Sequence, residues 1–489
     1  MKPHVLAIDQ GTSSTKTLLL DAAGDIVSRG QAALPQSHPG PGLVEQDATA
    51  LLDSVRTAVA HCMRDVDPRS VAGIALSTQR ESVVLWDSAT ARPVAPLVSW
   101  QDQRGGERAA RLAAAGVSEE IRRRTGLPLD PMFSALKMAA LLDSHDPARA
   151  RSAAGTLHLG TVDAYLLHAL TGELVTEIGN ASRTQLLSLA TGDWDDDLLG
   201  WFDIPRAALS RIVPSTGPFG ALRGLAPLTD GTPVLAVMGD SHAALFAHAG
   251  WRPGTVKATY GTGSSVMTIA DSPEQADGVC STIAWSTGRP CYAHEANIRS
   301  TGRTLTWLAD LLGTETEQLI RLAADTDAGD VTLVPAFGGI GAPWWDAQAV
   351  PLLAGFSLGT GRAQLARACL ESVAFQVGDA LAALPGLRQV VADGGLSRSD
   401  ALMQLQADVN GVTVARTRYH ELSAVGTAHL AGLGLGLWTA ADLEERADGG
   451  LQTFMPTWND AERRSAVGHW HQRLTAARHL GTRGKRRTP

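Results

Sequence analysis

Short apolar runs broken by Gly/Ser/Thr turns open the chain. The run at 5–8 is followed by Asp9-Gln10-Gly11-Thr12-Ser13-Ser14 and then by Thr17-Leu18-Leu19-Leu20-Asp21, which predicts strand, turn, strand. The same pattern returns in the second half, with a run at 256–260, the turn Gly261-Thr262-Gly263-Ser264-Ser265, and a run at 266–270 closed by Asp271. Gly11-Thr12 thus stands against Gly261-Thr262, and Asp21 against Asp271. Two copies of one hairpin at the starts of two similar halves suggest a duplicated architecture, although two unrelated hairpins could look alike. Runs at 71–77 and 234–238 predict buried strands. Leu365, Cys369, Val373, Val377 and Leu381 recur every four residues, which predicts a long amphipathic helix. A second helix is expected over 401–409, capped by Ser397 or Ser399 and stopped by Gly411. Alternating strands and helices make this an α/β protein. The break is expected near 245–255, dividing the chain into 1–247 and 248–489. No low-complexity linker marks it, so the two lobes should pack closely.

Composition narrows the field. A length of 489 residues predicts two to four domains. A net charge of −8 without long like-charge blocks argues against nucleic-acid or anionic-membrane partners. No apolar stretch approaches the ~18 residues of a membrane span, and the first residues lack the apolar core of a signal peptide. Cys62, Cys280, Cys291 and Cys369 show no CxxC spacing, so neither a zinc site nor a disulfide framework is suggested. A cytoplasmic protein is expected.

The strand ends carry the candidate chemistry. A Gly/Ser/Thr turn offers backbone N–H groups and hydroxyls to an anion, and two such turns face to face would grip a polyphosphate. Gly11, Thr12, Ser13, Gly261 and Thr262 are the candidates, with Lys16 adding a point charge; taken singly, ordinary tight turns explain the same residues. No GxxxxGK[ST] is present, which excludes a P-loop. Asp9, at the end of the first strand, is placed for magnesium, directly or through water. Asp240 ends the 234–238 run at Gly239 and would face a crevice at the carboxyl end of a sheet. Phosphoryl transfer to an alcohol needs a carboxylate to accept the hydroxyl proton, and Asp240 is the candidate base. A helix N-cap before 243–246 is the competing reading. Arg80 and Glu81, after the 71–77 strand, suit the hydroxyls of a polyol, or form a solvated pair. Trp100 adds an aromatic wall beside polar groups, or fills a core. His294 and Glu295 could touch the cleft, with a structural role the plainer reading.

Together these segments resemble the FGGY family of carbohydrate kinases, and within it most closely the glycerol kinases. The strings that carry the resemblance run in order: Asp9-Gln10-Gly11-Thr12, Thr78-Gln79-Arg80-Glu81, Trp100-Gln101-Asp102, Thr125-Gly126-Leu127, Gly160-Thr161-Val162-Asp163, Asn180-Ala181-Ser182-Arg183-Thr184, Gly239-Asp240, Thr259-Tyr260-Gly261-Thr262-Gly263, Gly341-Ala342-Pro343-Trp344-Trp345-Asp346, Gly355-Phe356-Ser357-Leu358-Gly359 and Asp393-Gly394-Gly395. They cover roughly residues 4–440. Ala140 stands where the family's first signature usually has Trp.

The resemblance implies two lobes of the actin-like ATPase fold, duplicated ribonuclease-H-like domains with a central cleft. ATP would lie in the cleft and the acceptor on the N-terminal lobe. It implies Mg2+ near Asp9 and Asp240, with Asp240 also the base. Nucleotide phosphates would meet Thr12, Ser13, Lys16 and Thr262. The nucleoside would lie along Gly302, Thr306, Gly395 and Ser399, although Thr306 stands where glycerol kinases have Gln and Ser399 where they have Asn. Arg80, Glu81, Trp100 and Asp240 match the acceptor contacts. Met132, Ser241 and Ser265 depart from them, standing where glycerol kinases carry Tyr, Gln and Phe. The widened, more hydrophilic pocket suits a four- or five-carbon polyol or ketose better than a triol. Glycerol itself is the alternative acceptor, and a nucleotide or polyphosphate hydrolase of the same fold is the alternative reaction. Retention of Arg80, Glu81 and Trp100 argues against the hydrolase. The partners expected are a small polyol or sugar, no nucleic acid, no membrane, and further copies of the chain in a homodimer or homotetramer.

Overall fold

In the computed structural model, which describes residues 3–274, 277–417, 419 and 421–484, the first hairpin forms as its alternation requires. Strands β1 (His4–Gln10) and β2 (Ser14–Leu20) pair antiparallel, and β3 (Ile26–Ala33) adds antiparallel to β2. Helix α1 (Ala48–Cys62) starts at Asp47, whose carboxylate accepts from the Thr49 and Ala50 N–H groups. Strand β4 (Val71–Thr78) lies parallel to β1. A long excursion carrying α2 (Ser134–His145) returns as β5 (Val234–Gly239), parallel to β4. The sheet order is β3-β2-β1-β4-β5. Strands β1 and β4 are buried along most of their length, as parallel strands covered on both faces must be. Helix α3 (Asp240–Ala247) leaves β5 without an intervening loop.

The second half repeats the plan. Strands β6 (Thr255–Tyr260) and β7 (Ser264–Ala270) form its opening hairpin, and the hairpin β8 (Cys280–Ser286) and β9 (Pro290–Ile298) pairs with β7 through β9. Helices α4 (Gly302–Leu312) and α5 (Arg362–Ala382) follow, α5 burying Cys369, Val373, Val377 and Leu381 of the predicted stripe, with Leu365 half-buried. Strand β10 (Gln389–Asp393) lies parallel to β6. Helix α6 (Asp400–Asn410) is capped by Ser399, whose Oγ accepts from the Leu402 N–H, and ends at Gly411. Strand β11 (Thr413–Arg416) is parallel to β10. The chain closes with α7 (Leu422–Gly434), β12 (Gln452–Phe454) and α8 (Asp460–Gly484). The order β8-β9-β7-β6-β10-β11-β12 contains the third-second-first-fourth-fifth arrangement of the first sheet, with the same parallel and antiparallel pairings.

The two halves are tied together in space by segments of the second. Helix α7 packs on the first sheet, with Val425 and Ala428 sharing a core with Val5, Ala7 and Ala236. A Cβ on Gly426 would lie 1.8 Å from the Ala243 carbonyl oxygen, so only glycine lets α7 approach α3 this closely. Strand β8 reaches across as well: the Ser281 N–H donates to the Gly126 carbonyl at 3.0 Å, and Ser182 and Thr282 share a hydroxyl hydrogen bond of 2.7 Å. Among the described residues, no helix is long and apolar enough to cross a membrane.

Candidate active site

The carboxyl ends of β1, β4 and β5 meet at one place. Asp9 sits opposite Lys16 in the β1–β2 register and beside Ser77 in the β1–β4 register. Ser77 Oγ donates to Asp9 Oδ1 at 2.9 Å. Burial and the nearby Asp240 carboxylate push the Asp9 pKa up to about 7, with Ser77 and Lys16 pulling it partly back. Asp240 is the first residue of α3, half-buried, and its Oδ1 accepts from the Ser241 N–H at 2.6 Å. Burial raises its pKa too, and the Arg80 charge opposes that rise. Gly239 caps the helix, so the Asp240 side chain is not used as the N-cap. Burial and repulsion from a nearby carboxylate raise these pKa values, and two neighbouring carboxylates of this kind could hold a cation. Together with nucleotide phosphates they suit Mg2+, which is commonly held by one or two carboxylates plus substrate oxygens. No cluster of three protein ligands exists among the described residues, and such a site does not need one.

Arg80 and Glu81 follow β4 in a tight, buried bend. Glu81 has φ 60°, a left-handed conformation that costs a residue with a Cβ roughly 1–3 kcal/mol. The cost is met by anchoring: Ser134 Oγ donates to the Glu81 carbonyl at 3.0 Å, and Arg183 Nε donates to Glu81 Oε1 at 2.6 Å. Arg80 Nη1 and Nη2 donate to Glu295 Oε2 and Oε1 at 2.8 and 2.7 Å, and Nη1 also reaches His242 Nε2 at 3.2 Å. Arg80 Nε is buried without a hydrogen-bond partner, 3.5 Å from Asp240 Oδ1 and 4.0 Å from Glu81 Oε1. Trp100 Nε1 donates to Thr12 Oγ1 at 3.1 Å, which joins the predicted acceptor wall to the predicted phosphate turn. Met132 is half-buried against Leu127, Phe133 and Cys280, as is Trp345 from the second half. Beneath Met132, burial pushes the Lys137 pKa down to about 7 against the pull of Glu81, Asp102 and Asp130, while Nζ donates to the 131–133 carbonyls.

The second hairpin supplies the other wall. The Gly302 N–H donates to the Gly261 carbonyl at 3.0 Å and the Arg303 N–H to the Thr262 carbonyl at 3.0 Å, so α4 begins against the 261–263 turn. A Cβ on Gly302 would meet the Gly261 carbonyl oxygen at 2.5 Å, which reserves the position for glycine. Gly395 is exposed, and a Cβ there would meet nothing within 4 Å, so the turn leaves open room above it. Ser265 pairs with Thr259 and Asn297, placing it on the same sheet face as Glu295. Thr306 is exposed on α4, and the Ser399 hydroxyl is engaged as the α6 cap.

Sequence reasoning singled out neither Arg183 nor Trp345, and it leaned towards a structural role for Glu295. Glu295 lies 215 residues from Arg80, and a lone Glu inside a strand carries no local signal of a partner so distant. Arg183 lies within the family string 180–184, yet nothing in its neighbourhood marks it as a partner of Glu81. Lys257 was also missed. It is buried on β6, its pKa lowered by burial and held up in part by Asp393, Glu295 and Asp240.

Family models decide the grouping. The N-terminal domain model of the FGGY family of carbohydrate kinases matches residues 4–247, and the C-terminal domain model matches 256–435. The chain belongs to the FGGY family of carbohydrate kinases. It is 41% identical over 451 residues to an apulose kinase of Pectobacterium atrosepticum, covering 89% of this chain and 90% of the relative. It is 40% identical over 494 residues to a glycerol kinase of Aromatoleum aromaticum, covering 97% and 99%. The crystal structure of Plasmodium falciparum glycerol kinase with ADP superposes with a TM-score of 0.92 at 25% identity, covering 97% of this chain and 98% of that one. A xylulose kinase of Rhodospirillum rubrum gives 0.86 at 26% identity, covering 98% and 99%. The fold is therefore the two-domain actin-like ATPase fold, as the resemblance to the family implied. The protein is an ATP-dependent phosphotransferase whose acceptor is a hydroxyl of a sugar or polyol.

Proposed function

We propose that this kinase phosphorylates a primary hydroxyl of a four- or five-carbon polyol or ketose, with Asp240 as the base. The observation that carries the reading is the meeting of Asp240, Arg80 Nε and Asp9 at the ends of three neighbouring strands. The acceptor hydroxyl would donate its proton to the Asp240 carboxylate. Its oxygen then bonds to the γ-phosphorus as the bond from that phosphorus to the β,γ-bridging oxygen breaks, and ADP leaves. Arg80 Nε and Glu81 would orient the remaining hydroxyls, one as donor and one as acceptor. Trp100, fixed by Thr12, would close the apolar side of the acceptor. Gly11, Thr12, Ser13, Lys16, Gly261 and Thr262 would line the phosphates, with Gly302 and Gly395 flanking the nucleoside. Mg2+ near Asp9 and Asp240 would neutralise charge on the transferring phosphates.

The acceptor follows from what replaces bulk. Met132, Ser241 and Ser265 leave more room and more polarity than the Tyr, Gln and Phe of the glycerol kinases they resemble. The relative named for apulose supports an acceptor other than glycerol, whereas the relatives named for glycerol support the triol as the second reading. A coupled ADP-release assay with MgATP across apulose, xylulose, ribulose, erythritol, threitol, ribitol and glycerol separates them. The reading expects a four- or five-carbon acceptor to give the highest kcat/KM; a clear preference for glycerol overturns it.

A further inference from the structure

Glu295 belongs to the second half of the chain, yet its carboxylate is fully buried between two guanidiniums of the first. Both of its oxygens take Arg80, and Oε2 lies 3.1 Å from Arg183 Nη1. Arg183 in turn holds Glu81. Two cations and two anions thus form a closed, neutral ring, each at most 7% exposed at the side chain. The ring consumes the fork of Arg80 but not its Nε, and it leaves Arg183 Nη1 and Nη2 without hydrogen-bond partners. Arg80 Nε, buried and without a hydrogen-bond partner, is thus the one nitrogen of that guanidinium that the ring leaves over, and it lies 3.5 Å from Asp240 Oδ1.

We propose that Glu295 is a positioning residue for the acceptor. From the second half it fixes the Arg80 fork, limits that guanidinium's contact with Asp240 to Nε at 3.5 Å, and leaves Nε to meet an acceptor hydroxyl. This inference rests on the kinase reading of the site. The physical reason is the rigidity of the bidentate pair: a planar fork held at two points can present its third nitrogen in one direction only. Without the Glu295 charge, the carboxylate next nearest to Arg80 apart from its neighbour Glu81 is Asp240, at 3.5 Å. Arg80 would turn onto it and occupy the position that the acceptor hydroxyl needs.

The test is steady-state kinetics of Glu295→Gln, varying acceptor and MgATP separately on the full chain. A loss of the order of 10²-fold in kcat/KM for the acceptor, carried mainly by its KM and with the KM for MgATP unchanged, is expected for a misplaced binding group. An unchanged acceptor KM, or equal rises in both KM values, overturns the proposal. Since Glu295→Gln leaves two buried cations against one anion and can fail to fold, Glu295→Asp, which keeps the charge and withdraws the carboxylate from the Arg80 fork by one methylene, serves as the charge-balanced partner. It should keep the wild-type thermal midpoint and still show the raised acceptor KM. Recovery of the wild-type KM in that variant would mean that Glu295 only balances charge, and would also overturn the proposal. Wild-type enzyme that releases no ADP with any acceptor would overturn the kinase reading beneath it, an outcome distinct from active variants that match an active wild type.

Discussion

The two opening hairpins share a scaffold and invert its chemistry. In the first sheet the leading strand ends in a carboxylate, Asp9, beside a hydroxyl on the fourth strand, Ser77. In the second sheet β6 carries the hydroxyl, Thr259, and its parallel neighbour β10 the carboxylate, Asp393. Their electrostatic surroundings also differ. Asp9 faces a second carboxylate and is pushed up to about 7. Burial pushes Asp393 up as well, but His248, which donates to Oδ2 at 3.1 Å, and the Lys257 charge more than cancel this and hold it below the ordinary range. One duplicated element thus leaves its carboxylate largely uncompensated, as the proposed Mg2+ site requires, while the other neutralises its carboxylate within the protein. Duplication supplies the frame, and the neighbours of each acid decide whether it serves binding or stability.

Breaking the first half at its base should have the largest effect. Asp240→Asn should lower kcat by roughly 10²–10⁴-fold while leaving acceptor binding by calorimetry nearly intact; turnover close to wild type would remove Asp240 from the mechanism. Next comes Asp9→Asn, which should raise the Mg2+ concentration needed for half-maximal rate by about 10–100-fold, the range seen when a group supporting a metal is lost.

Asp9 also gives the comparison a pH signature. A carboxyl raised in the folded state costs stability from its unfolded pKa of about 3.9 upward, and that cost is complete above about pH 7. Asp9→Asn should therefore raise the metal-free thermal midpoint increasingly between those values. Asp393 carries the opposite sign. Its depressed pKa contributes stability that is present above about pH 3.9 and is lost as pH falls through the folded value. Asp393→Asn should cost about 3 kcal/mol at neutral pH by stranding His248 and Lys257, read by denaturant unfolding. An Asp393→Asn protein as stable as wild type would erase the contrast.

The smallest expected effect concerns the acceptor wall. Met132→Tyr should shift relative kcat/KM towards glycerol by about tenfold, the scale of a few methylene-sized contacts. No shift would mean that Trp345, which packs beside Met132, already fills the space.

Local chemistry made much of this legible in the sequence. The strand-turn-strand pattern and the four-residue stripe of α5 follow from spacing alone, and Asp9 and Asp240 are visible because each ends an apolar run. Ser399 was legible as a cap, and capping is the role its hydroxyl plays. What lay beyond reach depends on contacts between distant segments. The apolar, small-residue make-up of α7 marks a helix buried all round but not the sheet to which it returns, and Glu295 meets Arg80 only because β9 of the second half reaches the first. Buried ion pairs of this kind are properties of the assembled fold, since neither partner's own sequence neighbourhood specifies the other.

Phosphorus NMR of the reaction mixture tests the central claim most directly. With MgATP and the preferred acceptor, the account predicts one phosphomonoester formed in equal amount to ADP, and no such product without acceptor. Inorganic phosphate appearing in step with ADP, at the same rate whether or not acceptor is present, would contradict it and identify a hydrolase.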